Sequence, residues 1–517
     1  MLLKVQSASV MGIEAQIIDV EVDLSLHRGR KYHVVGLPDV AIKESGERVR
    51  AAIQNCGYEF PHLGSITVNL APADFKKEGS CYDLPIALGV LGLSGNLEPE
   101  RVRDWLILGE LSLDGQVRPI RGALSVALHA SRKKFSKLLL PVDNTREAAI
   151  VSGIEVHPAY TLPQVMSLLN GGRSQYPPIK VNRHDLFKEQ TTARPDLIDV
   201  KGQETAKRAL EVACAGGHNL LMIGPPGAGK TMLARRIPSI LPAMSFAEAL
   251  KTTAIHSVCG LLKGNQPFLT HRPFRAPHHT ISSAGLVGGS SMPRPGEVSL
   301  AHNGVLFLDE LLEFHRPVLE VLRQPLEDGE ITISRAARTL TFPAQFMLAA
   351  AMNPCPCGYW NSVLKECLCT PAQIQRYRSK ISGPLWDRID LHIDVPEVSY
   401  RALTRDPSGE SSKLVARRVA KARNLQLRRF HSGKYSIFCN AQMGPAQILK
   451  HCVLEEDTKK LLENAIQKLG FSARAYHRIL KMARTLADLA GLENISSEHV
   501  SEAIQYRSLD RNLWDDF

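Results

Sequence analysis

No run of 18 uninterrupted apolar residues occurs in the 517-residue chain, and a helix that crosses a bilayer needs about 20. No membrane-spanning helix is expected. The opening "MLLKVQSASVMGIEAQ" turns polar too soon for a secretory signal, so the expected location is the cytoplasm. Ten cysteines in so long a chain do not make a disulfide framework. In a reducing compartment, clustered ones suit a metal better. Acidic residues are also short, with 52 Asp and Glu against 63 Lys and Arg, a balance compatible with a polyanionic partner. The imbalance is local, since residues 401–450 hold eleven Lys and Arg against two acids. No internal repeat is present.

The length predicts two to four domains with a sizeable core. Residues 1–170 alternate strand-like runs ("SITVNLAP", "WLILGEL") with helical ones such as "DVAIKESGERVRAAIQNCG", whose core candidates are Val40, Val49, Ala52 and Ile53. This is the pattern of a compact α/β domain. Residues 171–194, rich in Gly, Pro and polar residues, are expected to be a linker. A second α/β unit is expected over 195–400 and a helical domain over 401–517. In the helix predicted at 411–430, Arg417, Lys421 and Arg428 oppose Leu414, Val415, Val419 and Ala422, which suits a solvated face.

The stretch "LLMIGPPGAGKTMLARRI" places a short apolar strand before Gly224, Pro225, Pro226, Gly227, Ala228, Gly229, Lys230 and Thr231, and a helix after them. This is the P-loop pattern, in which glycines let backbone N–H groups close around phosphates. Lys230 is then expected to reach the β- and γ-phosphates of ATP, and Thr231 to ligate Mg²⁺. The strand "GVLFLDE" ends in Asp309, suited to the Mg²⁺ shell, and Glu310, suited to polarising the attacking water. A third strand, "QFMLAAAMNP", ends at Asn353, facing the γ-phosphate. Arg388 and Arg474 are the candidates for arginines acting on transferring phosphate, one in a neighbouring subunit's site and one from the subunit's own lid.

Two segments suit DNA. One is the polar insert 275–297 with Arg275, His278, His279 and Arg294; the other is a predicted β-hairpin with a basic tip at Arg335-Ala-Ala-Arg338. Contacts there would be to phosphates and independent of sequence. The run "CPCGYWNSVLKECLC" sets Cys355, Cys357, Cys367 and Cys369 in two Cys-x-Cys pairs. Four thiolates can close a structural Zn²⁺ site, although a spacing of one residue is unusual, and free or redox-active thiols remain the alternative.

Residues from about 195 to 510 resemble an AAA+ ATPase of the branch holding magnesium chelatase subunits and MCM helicases. The segment "HRPFRAPHHTISSAGLVGGSSMPRPGEVSLAHNGVLFLDEL" is similar to the ComM/YifB family in that branch, which is associated with DNA branch migration in natural transformation. The resemblance implies Walker A roles for Lys230 and Thr231, and Walker B roles for Asp309 and Glu310. It implies sensor 1 at Asn353, the arginine finger at Arg388 and sensor 2 at Arg474. It also implies a homohexamer that uses ATP and Mg²⁺ on single-stranded, forked or branched DNA, with recombination proteins as further partners. The alternative from the same branch is a chelatase-like chaperone that remodels a protein partner. Trp386 stands where a Leu is expected. Residues 1–170 resemble the Lon-protease fold, most clearly in "GELSLDGQVRPIRGALSVA". There Cys81 takes the position of the nucleophilic Ser and Leu124 that of its Lys base, so a scaffold without protease activity is expected.

Overall fold

A computed structural model describes residues 2–25, 31–61, 64–172, 175–182, 186–187, 195–262, 266–289, 293–335, 338–362, 365–398, 409–430 and 437–509. Two compact units result: residues 1–190 together with 249–270, and residues 191–248 together with 271–517. The first unit is built on a seven-stranded sheet of β1 (Leu2–Met11), β2 (Glu14–Ser25), β3 (Lys31–Val35), β4 (Ser65–Ala71), β5 (Trp105–Ile107), β6 (Lys137–Pro141) and β7 (Glu155–Ala159), in the order β3-β4-β2-β1-β5-β6-β7. β1 and β2 form a long antiparallel hairpin, and β5, β6 and β7 add in parallel.

One face of this sheet carries Leu3, Val5, Val20 and Val22 against the helices Ser45–Asn55 and Asp83–Leu93. The second helix is buried almost all round, and a side chain at Gly89 would meet Val22 at 2.4 Å, so glycine lets it lie on the strands. Val49, Ala52 and Ile53 are buried as expected, but Val40 is 71% exposed. The reason is a break in the expected helix, which runs as Val40–Lys43 and then Ser45–Asn55. The other face packs on the helix Ala123–Arg132.

The second unit holds a five-stranded parallel sheet of β8 (Leu220–Ile223), β9 (Phe274–Arg275), β10 (Val305–Leu308), β13 (Met347–Met352) and β14 (Leu391–Asp394), in the order β9-β10-β13-β8-β14. An antiparallel hairpin, β11 (Glu330–Arg335) and β12 (Arg338–Pro343), stands apart from it. The helices Ser412–Phe430, Glu456–Leu469, Ala473–Ala490 and Ser497–Gln505 follow. They share one apolar core with the sheet, so the expected ATPase and lid segments form a single unit.

In the helix Ser412–Phe430, the residues Arg417, Lys421 and Arg428 are exposed, and Val415, Val419 and Ala422 are buried. Leu414 is 46% exposed, because it falls outside the buried stripe. Other cations of this basic stretch are spent inside the fold: Arg423 donates to the carbonyls of Cys214 and Ala215, and Arg429 pairs with Asp488.

Two packing relations lie beyond the reach of local pattern. Residues 249–270, inside the expected ATPase stretch, group with residues 1–190. There the Gly122 N–H donates to the Ser257 carbonyl at 3.1 Å, and Phe268 meets Phe187 edge-on. Parts of the expected linker 171–194 lie outside the described residues. Within it, the Ile179 N–H donates to the Val156 carbonyl at 2.8 Å, tying that segment to the first unit's sheet.

Candidate functional site

In a parallel sheet all strands end on one edge, and loops there can converge. β13 lies between β8 and β10, with Ile223 in register with Met352 and Leu308 with Ala350. The P-loop after β8, Asp309 after β10 and Asn353 after β13 therefore meet. Gly227 and Gly229 have φ of +79° and +91°, a left-handed backbone that favours glycine.

The Lys230 ammonium is buried and donates to the Gly224 carbonyl (2.6 Å), the Pro225 carbonyl (2.9 Å) and Asn353 Oδ1 (3.1 Å). Burial pulls its pKa down to about 8, against the opposing pull of Asp309 and Glu310. Its partners are all neutral oxygens, which phosphate oxygens would replace with charged ones. Thr231 Oγ1 donates to Asp309 Oδ2 at 2.6 Å. A hydroxyl and a carboxylate side by side are the hard oxygen donors that Mg²⁺ takes, so the residues present fit that ion and would hold it.

Glu310 follows Asp309 with φ +51° and ψ +49°, the left-handed region, which costs a non-glycine residue about 1–2 kcal/mol. Its amide donates to Asp309 Oδ1 at 3.0 Å, and the turn sends its side chain into solvent. Strain of this kind is characteristic of functional sites. His279 Nδ1 lies 3.3 Å from Glu310 Oε2, and the His278 and His279 rings stand 4.1 Å apart. Both histidines, with Thr231, Asp309 and Glu310, line a cavity of about 310 Å³. The structure thus places the two histidines expected at DNA beside the ATP edge. Nothing in their local spacing signals that neighbour.

Arg388 and Arg474 are not brought to Lys230. Arg388 precedes β14, at the sheet edge opposite the P-loop, where its carbonyl accepts from Asn219 Nδ2 at 3.0 Å. Its guanidinium is buried, pairs with Glu327 and donates to the Pro384 carbonyl at 2.7 Å. Arg474 is exposed on the first turn of Ala473–Ala490; it and Arg388 both hold the Glu327 carboxyl below its usual range, the Arg388 hydrogen bond being the larger cause. One turn on, Arg478 pairs with Asp390. The expectation that Arg474 serves its own subunit's phosphate therefore does not match this placement. Trp386 is buried against His392.

In the insert, Arg275 forms a two-pronged pair with Glu297 at 2.6 and 2.7 Å, so its charge is already matched, while Arg294 is exposed. The hairpin pairs Arg335 opposite Arg338. Ala336, Ala337 and the side chains of Arg335 and Arg338 lie outside the described residues. Below the tip, one face is polar, with Thr332–Thr341 and Ser334–Thr339 hydroxyl pairs, and the other buries Ile331, Ile333 and Phe342. Cys355, Cys357, Cys367 and Cys369 converge, the one such metal-competent cluster among the described residues.

In the first unit, Leu124 is fully buried, and burial followed by Asp83 pushes the Cys81 thiol up to about 12. A thiol with so little thiolate and no lysine in the partner position is a poor nucleophile. No described helix is long and apolar enough to cross a membrane.

Three stretches match magnesium chelatase families: residues 20–144 match "Subunit ChlI of Mg-chelatase", 196–403 "Magnesium chelatase, subunit ChlI", and 409–507 "Magnesium chelatase, subunit ChlI C-terminal". The chain is 44% identical over 513 residues to Competence protein ComM of Haemophilus influenzae, covering 98% of each. It is 43% identical over 510 residues to YifB of Salmonella typhimurium, covering 98% of this chain and 97% of that one. A partial likeness, 31% over 153 residues and 27% of this chain, is to Lon protease 2 of Bacillus subtilis, of which it covers 26%.

Proposed function

Because the chain belongs to the ComM/YifB family of magnesium-chelatase-like AAA+ proteins, we propose that it is a cytoplasmic, homohexameric ATP-driven motor. It moves along single-stranded, forked or branched DNA and migrates junctions in recombination and natural transformation, alongside recombination proteins. The observation that carries the ATPase half is the convergence of Lys230, Thr231, Asp309, Glu310 and Asn353 at one sheet edge. Lys230 and the P-loop amides bind and orient the triphosphate, and Glu310 takes up a proton from the attacking water. Mg²⁺, held by Thr231 and Asp309, supplies neutralising charge on the phosphates when bound. With Arg388 and Arg474 at the opposite edge, one subunit's arginines serve the next subunit's site, which ties hydrolysis to a closed ring.

The DNA half is supported by the basic-tipped hairpin and by the competence protein's name. Arg335→Ala with Arg338→Ala removes two cations per subunit that would neutralise phosphates. DNA binding should weaken and become less sensitive to salt, the log–log slope shrinking by about 0.7–0.9 for each phosphate left without its cation. Basal ATPase should survive while strand displacement falls sharply. A double variant that unwinds forked DNA like wild type refutes the hairpin's role. Wild type that neither binds DNA nor responds to it leaves the chelatase-like chaperone, which the family descriptions favour.

A further inference from the structure

The four sulfurs of the cysteine cluster lie within 4.8 Å of one another. Those of Cys355, Cys357 and Cys367 are 3.4, 3.6 and 3.5 Å apart. Four thiolates around one divalent ion at about 2.3 Å would stand about 3.8 Å apart. The amides of Trp360 and Cys357 point at Cys355 Sγ (3.3 Å) and Cys369 Sγ (3.4 Å), donors that suit sulfur carrying negative charge. Leu368, between two of the ligands, is 84% exposed, so it adds no apolar burial to hold the loop closed.

The loop begins two residues after Asn353. A side chain at Gly358 would meet the Pro226 ring of the P-loop at 2.6 Å, so the loop's backbone lies directly on the phosphate cradle. Arg378, in the helix Pro371–Arg378 that follows the last cysteine, donates to the Pro354 carbonyl at 3.1 Å and lies over the Trp360 ring at 4.3 Å. Lys380 donates to the Leu312 carbonyl at 2.9 Å, just past Glu310. The segment between Asn353 and Lys380 is thus braced against the P-loop on one side and the Walker B turn on the other.

We propose that these four cysteines bind one zinc-class divalent ion, and that the ion is a positioning element of the ATP site, holding Asn353 and Pro226 where nucleotide needs them. This rests on the ATPase reading and names a control on it: stripping the metal opens the loop and loosens the cradle. The test uses the full chain, purified without chelator, with metal measured by elemental analysis and nucleotide affinity by titration with a fluorescent ATP analogue.

One zinc per chain is expected in wild type. Cys367→Ser should lose the metal and, with unchanged far-ultraviolet circular dichroism, bind the analogue at least about tenfold more weakly, as displaced positioning groups do. Gly358→Ala should keep the metal and still weaken nucleotide binding, since its methyl group pushes on Pro226 and its φ of +85° strains the loop backbone that lies on the cradle. That variant covers the case in which Cys367→Ser does not fold. Metal-free wild type that binds nucleotide normally overturns the proposal, as does a metal-free Cys367→Ser or a metal-bound Gly358→Ala with wild-type affinity. A coloured iron centre overturns the zinc assignment. Wild type that binds no nucleotide at all overturns the ATPase reading instead.

Discussion

Arg388→Ala removes a guanidinium at one edge of the five-stranded sheet and leaves Lys230, Thr231, Asp309 and Glu310 untouched at the other. β14 alone spans about 13 Å at 3.3 Å per residue, further than an arginine side chain extends, and Arg388 lies before it. The fold should tolerate the change. Glu327 is 55% exposed, so its carboxylate returns to water and the broken pair costs about 1 kcal/mol. Turnover should fall by roughly a thousandfold, the lower end of what an arginine finger contributes.

Loss alone does not say whose site the arginine serves, but mixing does. Lys230→Ala subunits lack a working P-loop yet still carry Arg388, and Arg388→Ala subunits are the converse. In rings assembled at random from equal amounts, an intact P-loop faces an intact arginine at about one interface in four, the product of two halves. The mixture should therefore recover about a quarter of wild-type ATPase from two inactive parents, measured by phosphate release. A mixture that stays at baseline, with mixed rings verified by pull-down of a tagged parent, refutes the cross-subunit role.

Nucleotide affinity should be full below about pH 8 and fall as pH rises past it, because burial holds the free Lys230 near 8 and phosphate raises it again. Calorimetry at about pH 8.5 in two buffers of different ionisation enthalpy should show proton uptake; equal apparent enthalpies would refute it. Glu310→Gln should bind ATP as wild type does but turn over at least about a hundredfold more slowly, a pairing read by filter binding beside phosphate release. Iodoacetamide at neutral pH should leave Cys81 unmodified in the folded chain and alkylate it after denaturation, read by peptide mass spectrometry; equal labelling contradicts the raised thiol pKa.

The ATP edge was legible because its signals are local. A strand, a glycine turn and a helix stand contiguous around Lys230, and Asp309 and Asn353 are each the first polar side chain past an apolar run. Parallel topology then brings the three ends together. What local pattern does not carry is which distant segment meets which. Nothing in the spacing around Arg275 points to Glu297, twenty-two positions on, as its partner. Nothing around His279 points to Glu310, and nothing around Gly358 points to Pro226. Val40 shows the converse failure: its apolar character fitted a helix face, but the helix breaks at Glu44 and turns that residue into solvent.

Glu248 and Arg272 bracket the residues that pack with the N-terminal segment. Their side chains meet at 3.0 Å, and Arg272 also donates to the Pro242 and Asn303 carbonyls at 2.7 Å each. In polymer terms the pair is a clasp, and everything between is a closed loop whose ends stay together. The entropy of such a closure grows only as the logarithm of loop length, so the nucleotide-binding body is nearly indifferent to how long the loop is or what it carries. What it carries, Ile255 and Phe268 among others, is core material for the other body. The N-terminal unit is therefore discontinuous in sequence, and a cut of the chain at residue 171 or at 195 cannot yield it whole, because residues 249–270 stay with the other piece.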